Sequence, residues 1–114
     1  MANMDTIFGK IIRKEIPADV VFESQTVLAF RDVNPQAPVH VLIIPKLPTA
    51  NLDQTTDNQI LGELLGVARK LAKELNISES GYRVVINNGA SAGQSVFHLH
   101  LHLLGGRDFS WPPG

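Results

Sequence analysis

The amino-acid sequence predicts an α+β domain built on an antiparallel sheet, and three observations carry that prediction. Short runs rich in Val, Ile and Phe recur along the chain, one long amphipathic helical stretch interrupts them, and the final run alternates histidine with leucine over HLHLHLL, residues 98–104. The predicted order is one short helix, three strands, one long helix and two strands. No repeat or linker divides the 114 residues, so 1–114 reads as a single domain.

DTIFGKIIRKEI (5–16) sets Ile7, Phe8, Ile11 and Ile12 at helical spacing behind an Asp suited to capping, and Pro17 closes it. VVFE (20–23) and VLAFRDV (27–33), split by Ser24-Gln25-Thr26, predict a hairpin. After the loop Asn34–Pro38, the apolar VHVLIIP (39–45) reads as a central strand. The clearest helix follows, with Thr56 and Gln59 as a capping box and Ile60, Leu61, Leu64, Leu65, Ala68, Leu71, Ala72 and Leu75 on one face. YRVVIN (82–87) and HLHLHLL (98–104) complete the sheet, joined by the small-residue loop NGASAGQS (88–95). The tail GGRDFSWPPG is irregular.

The bulk composition excludes several function classes. Net charge is −1 with no long run of Lys or Arg, which argues against a general nucleic-acid binder. Absence of cysteine removes disulfides and thiolate zinc sites, and it fits a reducing cytoplasm. No segment approaches the roughly 18 apolar residues of a membrane span, and MANMDTIFGKIIRKEIP has no apolar run ahead of a cleavage site. The expectation is a cytoplasmic protein with neither a nucleic-acid nor a membrane partner.

Three of the four histidines fall within five residues. Strand alternation sets His98, His100 and His102 on one face, which must then be open or cleft-forming, and Leu99, Leu101 and Leu103 on the other, against the long helix. A metal reading meets a geometric obstacle. Alternate strand residues lie roughly 6.6 Å apart, whereas zinc needs each nitrogen at about 2.0–2.1 Å. Two of the three can still meet an ion together with a ligand from elsewhere, so zinc stays open. The catalytic reading is stronger: imidazole is neutral and nucleophilic near pH 7, and its neighbours can orient it or hold phosphate oxygens. The loop Gly93-Gln94-Ser95, leading into the histidines, supplies flexible backbone N–H groups and a hydroxyl for an anion. His40, beside the apolar VLIIP, reads equally well as a core residue or a fourth member of the cluster.

GQSVFHLHLHLL resembles the signature of the histidine triad (HIT) superfamily, His-x-His-x-His followed by two apolar residues. DTIFGKIIRKEIPA, VNPQAPVHVLIIPK, GYRVVINNG and GGRDFSWPPG resemble segments of its Hint branch, the purine-nucleotide-binding members, so the likeness runs nearly end to end. It implies a five-stranded antiparallel sheet with one long and one short helix, continued across a homodimer. The implied activity is hydrolysis of purine nucleoside 5′-phosphoramidates to the nucleoside monophosphate and an amine, through a nucleotidyl-histidine intermediate and with no metal or other cofactor. By this resemblance His100 is the nucleophile, His98, His102 and His40 complete its network, and Gly93, Gln94 and Ser95 face the phosphate, with Ser95 or a flanking histidine relaying a proton to the amine. Asp32 and Asn87 match ribose contacts, one carboxylate being able to accept from two vicinal hydroxyls. Ile7, Phe8, Ile11, Phe30 and Val33 match the apolar walls around the purine, although each reads on its own as core. Trp111 matches a residue that approaches the partner subunit's site.

Two departures bear on substrate preference. Many relatives carry a histidine near Leu47-Pro48, and animal relatives often have His at Arg31, where a fixed cation would stand at the mouth of the nucleoside site. Competing readings are a dinucleoside polyphosphate hydrolase using the same nucleophile, a non-catalytic nucleotide-binding or scaffolding protein, and a zinc-binding module.

Overall fold

The computed structural model describes residues 5–114. The first four residues of the N-terminal segment judged to lack a cleavage signal therefore lie outside the described residues. The elements are α1 (Ile7–Ile12), β1 (Val20–Glu23), β2 (Val27–Arg31), β3 (Val39–Pro45), α2 (Asn58–Glu74), β4 (Tyr82–Val85) and β5 (Leu101–Gly105), with a 3-10 turn at Ala90–Ala92. They form the expected α+β arrangement: one five-stranded sheet, order β1-β2-β3-β5-β4, in which every neighbouring pair is antiparallel.

Alternation along the strands divides the core into two layers. Val27, Ala29, Val41, Ile43, Leu99, Leu101 and Leu103 pack against Leu64, Val67, Ala68, Leu71 and Ala72 of α2. Leu28, Phe30, Leu42 and Ile44 project the other way and are covered by Phe8, with Ile11 and Ile12, from α1. The leucines of the alternating run thus face the long helix, as expected. Leu65 does not join them: it is 51% exposed, and Val67 takes the inner position instead.

Both helices start and stop on local chemistry that shifts the predicted bounds. In α1 the cap is Thr6, whose hydroxyl accepts from the N–H of Gly9 at 3.1 Å, and not Asp5. The helix ends before Pro17 because Lys14 adopts φ 63°, which the α-helix excludes. In α2 the cap is Asp57, accepting from the N–H of Gln59 at 2.9 Å, one residue after the predicted Thr56. Its other end is a Schellman motif: Asn76 at φ 61° follows Leu75, with the N–H of Ile77 on the carbonyl of Ala72 and that of Asn76 on Lys73. Ile77 then packs on Gly105, where an added Cβ would meet the Ile77 side chain at 2.6 Å; only glycine fits there.

Regular pairing of the histidine strand begins at Leu101, opposite Ile43, not at His98. Continued in that register, Ile44 would face His100 and Pro45 would face Leu99, and Pro45 has no N–H to give. The N–H of Leu99 goes instead to the carbonyl of Thr49 at 2.7 Å. No helix among the described residues is long and apolar enough to cross a membrane.

Candidate active site

Four imidazoles gather on the α1 side of the sheet. His40 comes from β3, His102 from β5, and His98 and His100 from the extended run just before it. This face is not open throughout. His98 is fully buried, His100 8% exposed and His40 5% exposed, while His102 is half-buried. The reason is Phe8, whose ring meets His100 edge-on at 4.9 Å, Phe30 at 5.6 Å and His98 at 6.2 Å.

Hydrogen bonds fix the proton on each ring. A carbonyl oxygen only accepts, so His98 Nε2 donates to Pro45 O at 2.8 Å and His100 Nδ1 donates to His98 O at 2.7 Å. His100 therefore carries its proton on Nδ1 and keeps a lone pair on Nε2. His98 Nδ1 is buried without a hydrogen-bond partner among the described residues, so it remains an unprotonated nitrogen. The N–H of Gln36 donates to His40 Nδ1 at 3.0 Å, which leaves the His40 proton on Nε2. From there it is given to His102 Nδ1, 2.9 Å away, and His102 in turn carries its proton on Nε2. Asp32 Oδ2 stands 3.4 Å from His40 Nε2, while Oδ1 accepts from the N–H of Asn34 at 2.8 Å.

Burial lowers the pKa of all four rings, and for each it is the largest cause. In His40 the Asp32 charge opposes it, in His98 the Pro45 bond, and in His100 the His98 bond and then Asp32. His102 is pushed down to about 4 by burial and then by the neighbouring His100 and His40. The cluster is thus neutral at pH 7, with one imidazole lone pair available for attack.

The preceding loop offers fewer free donors than its composition suggests. The N–H of Gly93 is used by Ala90 O at 3.0 Å and that of Gln94 by Gly89 O at 3.1 Å. The Gln94 side chain is buried and its amide is bonded at both ends. Ser95 is exposed, and its N–H and hydroxyl have no partner among the described residues.

The remaining sequence-predicted residues divide. Phe8, Ile11 and Phe30 lie in the packed layer beside the histidines, whereas Ile7 is half exposed and Val33 fully exposed. Asn87 is half-buried, two residues beyond Val85, the partner of His102. Trp111 is 83% exposed. Arg31 continues the Val27 and Ala29 side of β2, on the face opposite the imidazoles, and pairs with Asp19 at 3.4 Å.

Sequence reasoning missed three positioning features. Nothing in the sequence signals that the Gln36 backbone caps His40, that Phe8 packs edge-on against His100, or that the carbonyls of Pro45, Thr49 and Ala50 hold the run 94–99. A cavity of about 880 Å³ opens beside that segment, lined by Leu47, Pro48, Thr55, Asp57 and Glu63 among others; none of its lining residues is a histidine, so it is separate from the imidazole cluster.

Three potential metal ligands do converge: donor atoms of Asp32, His40 and His102 lie within 4.8 Å of one another. The tautomers oppose coordination there. His40 Nδ1 is committed to the Gln36 N–H and Nε2 bears the proton, so a metal at Nε2 would require an imidazolate or loss of that bond.

Residues 13–109 match the family model described as the HIT domain. A 14 kDa zinc-binding protein of Zea mays is 58% identical over 96% of this chain and 88% of its own. Among solved structures, a HIT family hydrolase from Legionella pneumophila superposes with a TM-score of 0.93 at 51% identity, covering 96% of this chain and all of that one. A histidine triad nucleotide-binding protein from Candida albicans gives 0.83 at 38% identity, over 96% of this chain and 85% of that one. With the alternating histidines, the sheet order and a match across most of its length, this chain belongs to the HIT domain family and has the fold of its hydrolases.

Proposed function

We propose that this protein hydrolyses purine nucleoside 5′-phosphoramidates, with His100 as nucleophile. The observation that carries the reading is the fixed tautomer of His100: Nδ1–H held by His98 O, and Nε2 left with its lone pair. Attack by Nε2 on phosphorus forms an N–P bond as the P–N bond to the amine breaks, and the amine departs with a proton relayed by Ser95 or a flanking histidine, which regains it from the water of the second step. Water then cleaves the nucleotidyl-imidazole, giving the nucleoside monophosphate and restoring neutral His100. Developing charge on the phosphoryl oxygens is met by the free donors of Ser95 and by His102 Nε2–H. Asp32 and Asn87 take the ribose, and Ile7, Phe8, Ile11, Phe30 and Val33 border the base. The nucleotide-binding name of the Candida albicans relative supports this class of ligand.

The protein acts as a homodimer in the cytoplasm on this reading. Support comes from β4, an edge strand paired only with β5, and from the exposed Leu65, Tyr82 and Trp111. Zinc binding, suggested by the name of the Zea mays relative and by the convergence of Asp32, His40 and His102, is the second reading. The tautomer of His40 weighs against it.

The test is release of AMP from an adenosine 5′-phosphoramidate in EDTA by the native protein and by His100→Ala. Turnover lost in the variant supports the proposal; equal turnover, or a requirement for added zinc, overturns it.

A further inference from the structure

Residues 45–51 give three carbonyls to the active-site run. Pro45 O takes the proton of His98 Nε2 at 2.8 Å, Thr49 O the N–H of Leu99 at 2.7 Å, and Ala50 O one hydrogen of Gln94 Nε2 at 2.8 Å. Gln94 joins this segment to the phosphate-side loop. The second hydrogen of its Nε2 goes to Val96 O at 3.1 Å, and its Oε1 accepts from the N–H of Gly89 at 2.8 Å. Its own N–H returns to Gly89 O. The side chain is 4% exposed, and no donor remains for a ligand.

We infer that Gln94 is a positioning residue that never touches phosphate: it braces the loop 89–96 against the segment 45–51, so that Ser95 presents its free donors level with His100. This rests on the nucleotide reading above and assigns Gln94 a different part in it from that of a phosphate contact. The brace has a second half. Thr55 Oγ1 donates to Asn51 O at 2.7 Å and accepts from the Thr49 hydroxyl at 2.7 Å, fixing the 49–51 end of the segment from its other side. A ligand contact would act alone. A brace makes Gln94 and Thr55 act alike, although Thr55 lines the separate cavity and no part of the histidine cluster.

The experiment compares the whole native protein with Gln94→Ala, Gln94→Glu and Thr55→Val. It reads amide hydrogen exchange by NMR, and AMP and adenosine affinity by calorimetry. Gln94→Glu is the conservative variant: it keeps an acceptor for Gly89 but turns an oxygen toward two carbonyls. In both Gln94 variants the amide of Leu99 should exchange about tenfold faster or more, as a lost buried bond opens the run locally. AMP affinity should fall about tenfold while adenosine, which lacks the phosphate, binds within twofold of native. Thr55→Val should move the same readings in the same direction. The inference is overturned if Gln94→Ala loses AMP affinity while Leu99 exchange stays native and Thr55→Val binds AMP normally, because Gln94 then acts by contact. It is equally overturned if none of the variants changes exchange. Should the native protein bind neither ligand, the nucleotide reading fails by itself and the exchange data alone decide on the brace.

Discussion

The Nδ1 of His100 gives its proton to the carbonyl of His98, 2.7 Å away, so two alternating histidines are linked through the backbone of one and the ring of the other. That bond selects which nitrogen of His100 is basic. His98 contributes its main chain to His100 and its side chain to Pro45, so in the proposed mechanism it supports His100 and does not react itself.

The acid limb of the rate profile follows from this. His100 must be neutral to attack, and burial holds its pKa below the usual 6.5. The half-maximal point of the acid limb for an adenosine phosphoramidate should therefore lie below pH 6.5. A kcat profile measured from pH 4 to 8 tests this, and a half-maximal point above 6.5 would contradict it.

Folding stability should show the same sign. A histidine whose folded pKa is depressed takes up protons more readily when unfolded, so stability is complete above the unfolded pKa and is lost as pH falls through the folded one. All four histidines are depressed, and for His102 the window runs from 6.5 to about 4. Thermal unfolding should drop by several degrees, on the order of 4–8 °C for each 1 kcal/mol lost in a chain of this size, between pH 7 and pH 5. A Tm independent of pH over that range would refute it.

Phe8→Ala should remove more than packing. Phe8 is buried and closes the layer over His98 and His100, so truncation should cost about 3–5 kcal/mol. Phe8→Leu, which keeps most of the volume, should destabilise by less, under about 1.5 kcal/mol. It should nevertheless lower kcat, because the edge contact that fixes the His100 ring is gone. Urea unfolding and steady-state kinetics on both variants separate the two effects.

Removing the His98 ring tests the support role. His98→Phe keeps the volume but leaves the buried Pro45 carbonyl without its donor, at a cost of about 1–3 kcal/mol. Since the backbone carbonyl of His98 survives, the variant should retain measurable turnover where His100→Ala has none. Complete inactivity in a folded His98→Phe protein would show that the ring itself takes part in the chemistry.

Zinc gives a further discriminating measurement. With His40 Nδ1 held by the Gln36 N–H, equimolar zinc at micromolar protein should raise Tm by no more than about 1–2 °C, and EDTA should leave Tm and turnover unchanged. A large zinc-dependent rise would favour the metal reading.

Much of the fold was legible because period-2 and period-3.6 patterns report burial directly. VHVLIIP gave β3 to the residue, and the leucines of HLHLHLL reached the layer under α2. The histidine strand was drawn too long because alternation continues through 98–100, whereas ladder bonds stop where Pro45 can donate none. In the site, side-chain types revealed the imidazoles. Main-chain donors and acceptors such as Gln36 N, Pro45 O and Ala50 O are identical in every residue and leave no trace in a sequence.

The sheet order β1-β2-β3-β5-β4 seats the last strand of the chain between β3 and β4, neither of which touches the other without it. Residues emerging from a ribosome up to Val85 therefore hold two disconnected pieces, a three-stranded meander and a lone strand, with α2 between them. The Leu99, Leu101 and Leu103 side chains that fill the layer under α2 arrive only with the same few residues that bring His98, His100 and His102. Contacts of such long sequence separation form late and slowly. A chain truncated before His98 should accordingly have no partly active form: the three histidines and the strand that closes the sheet are lost together.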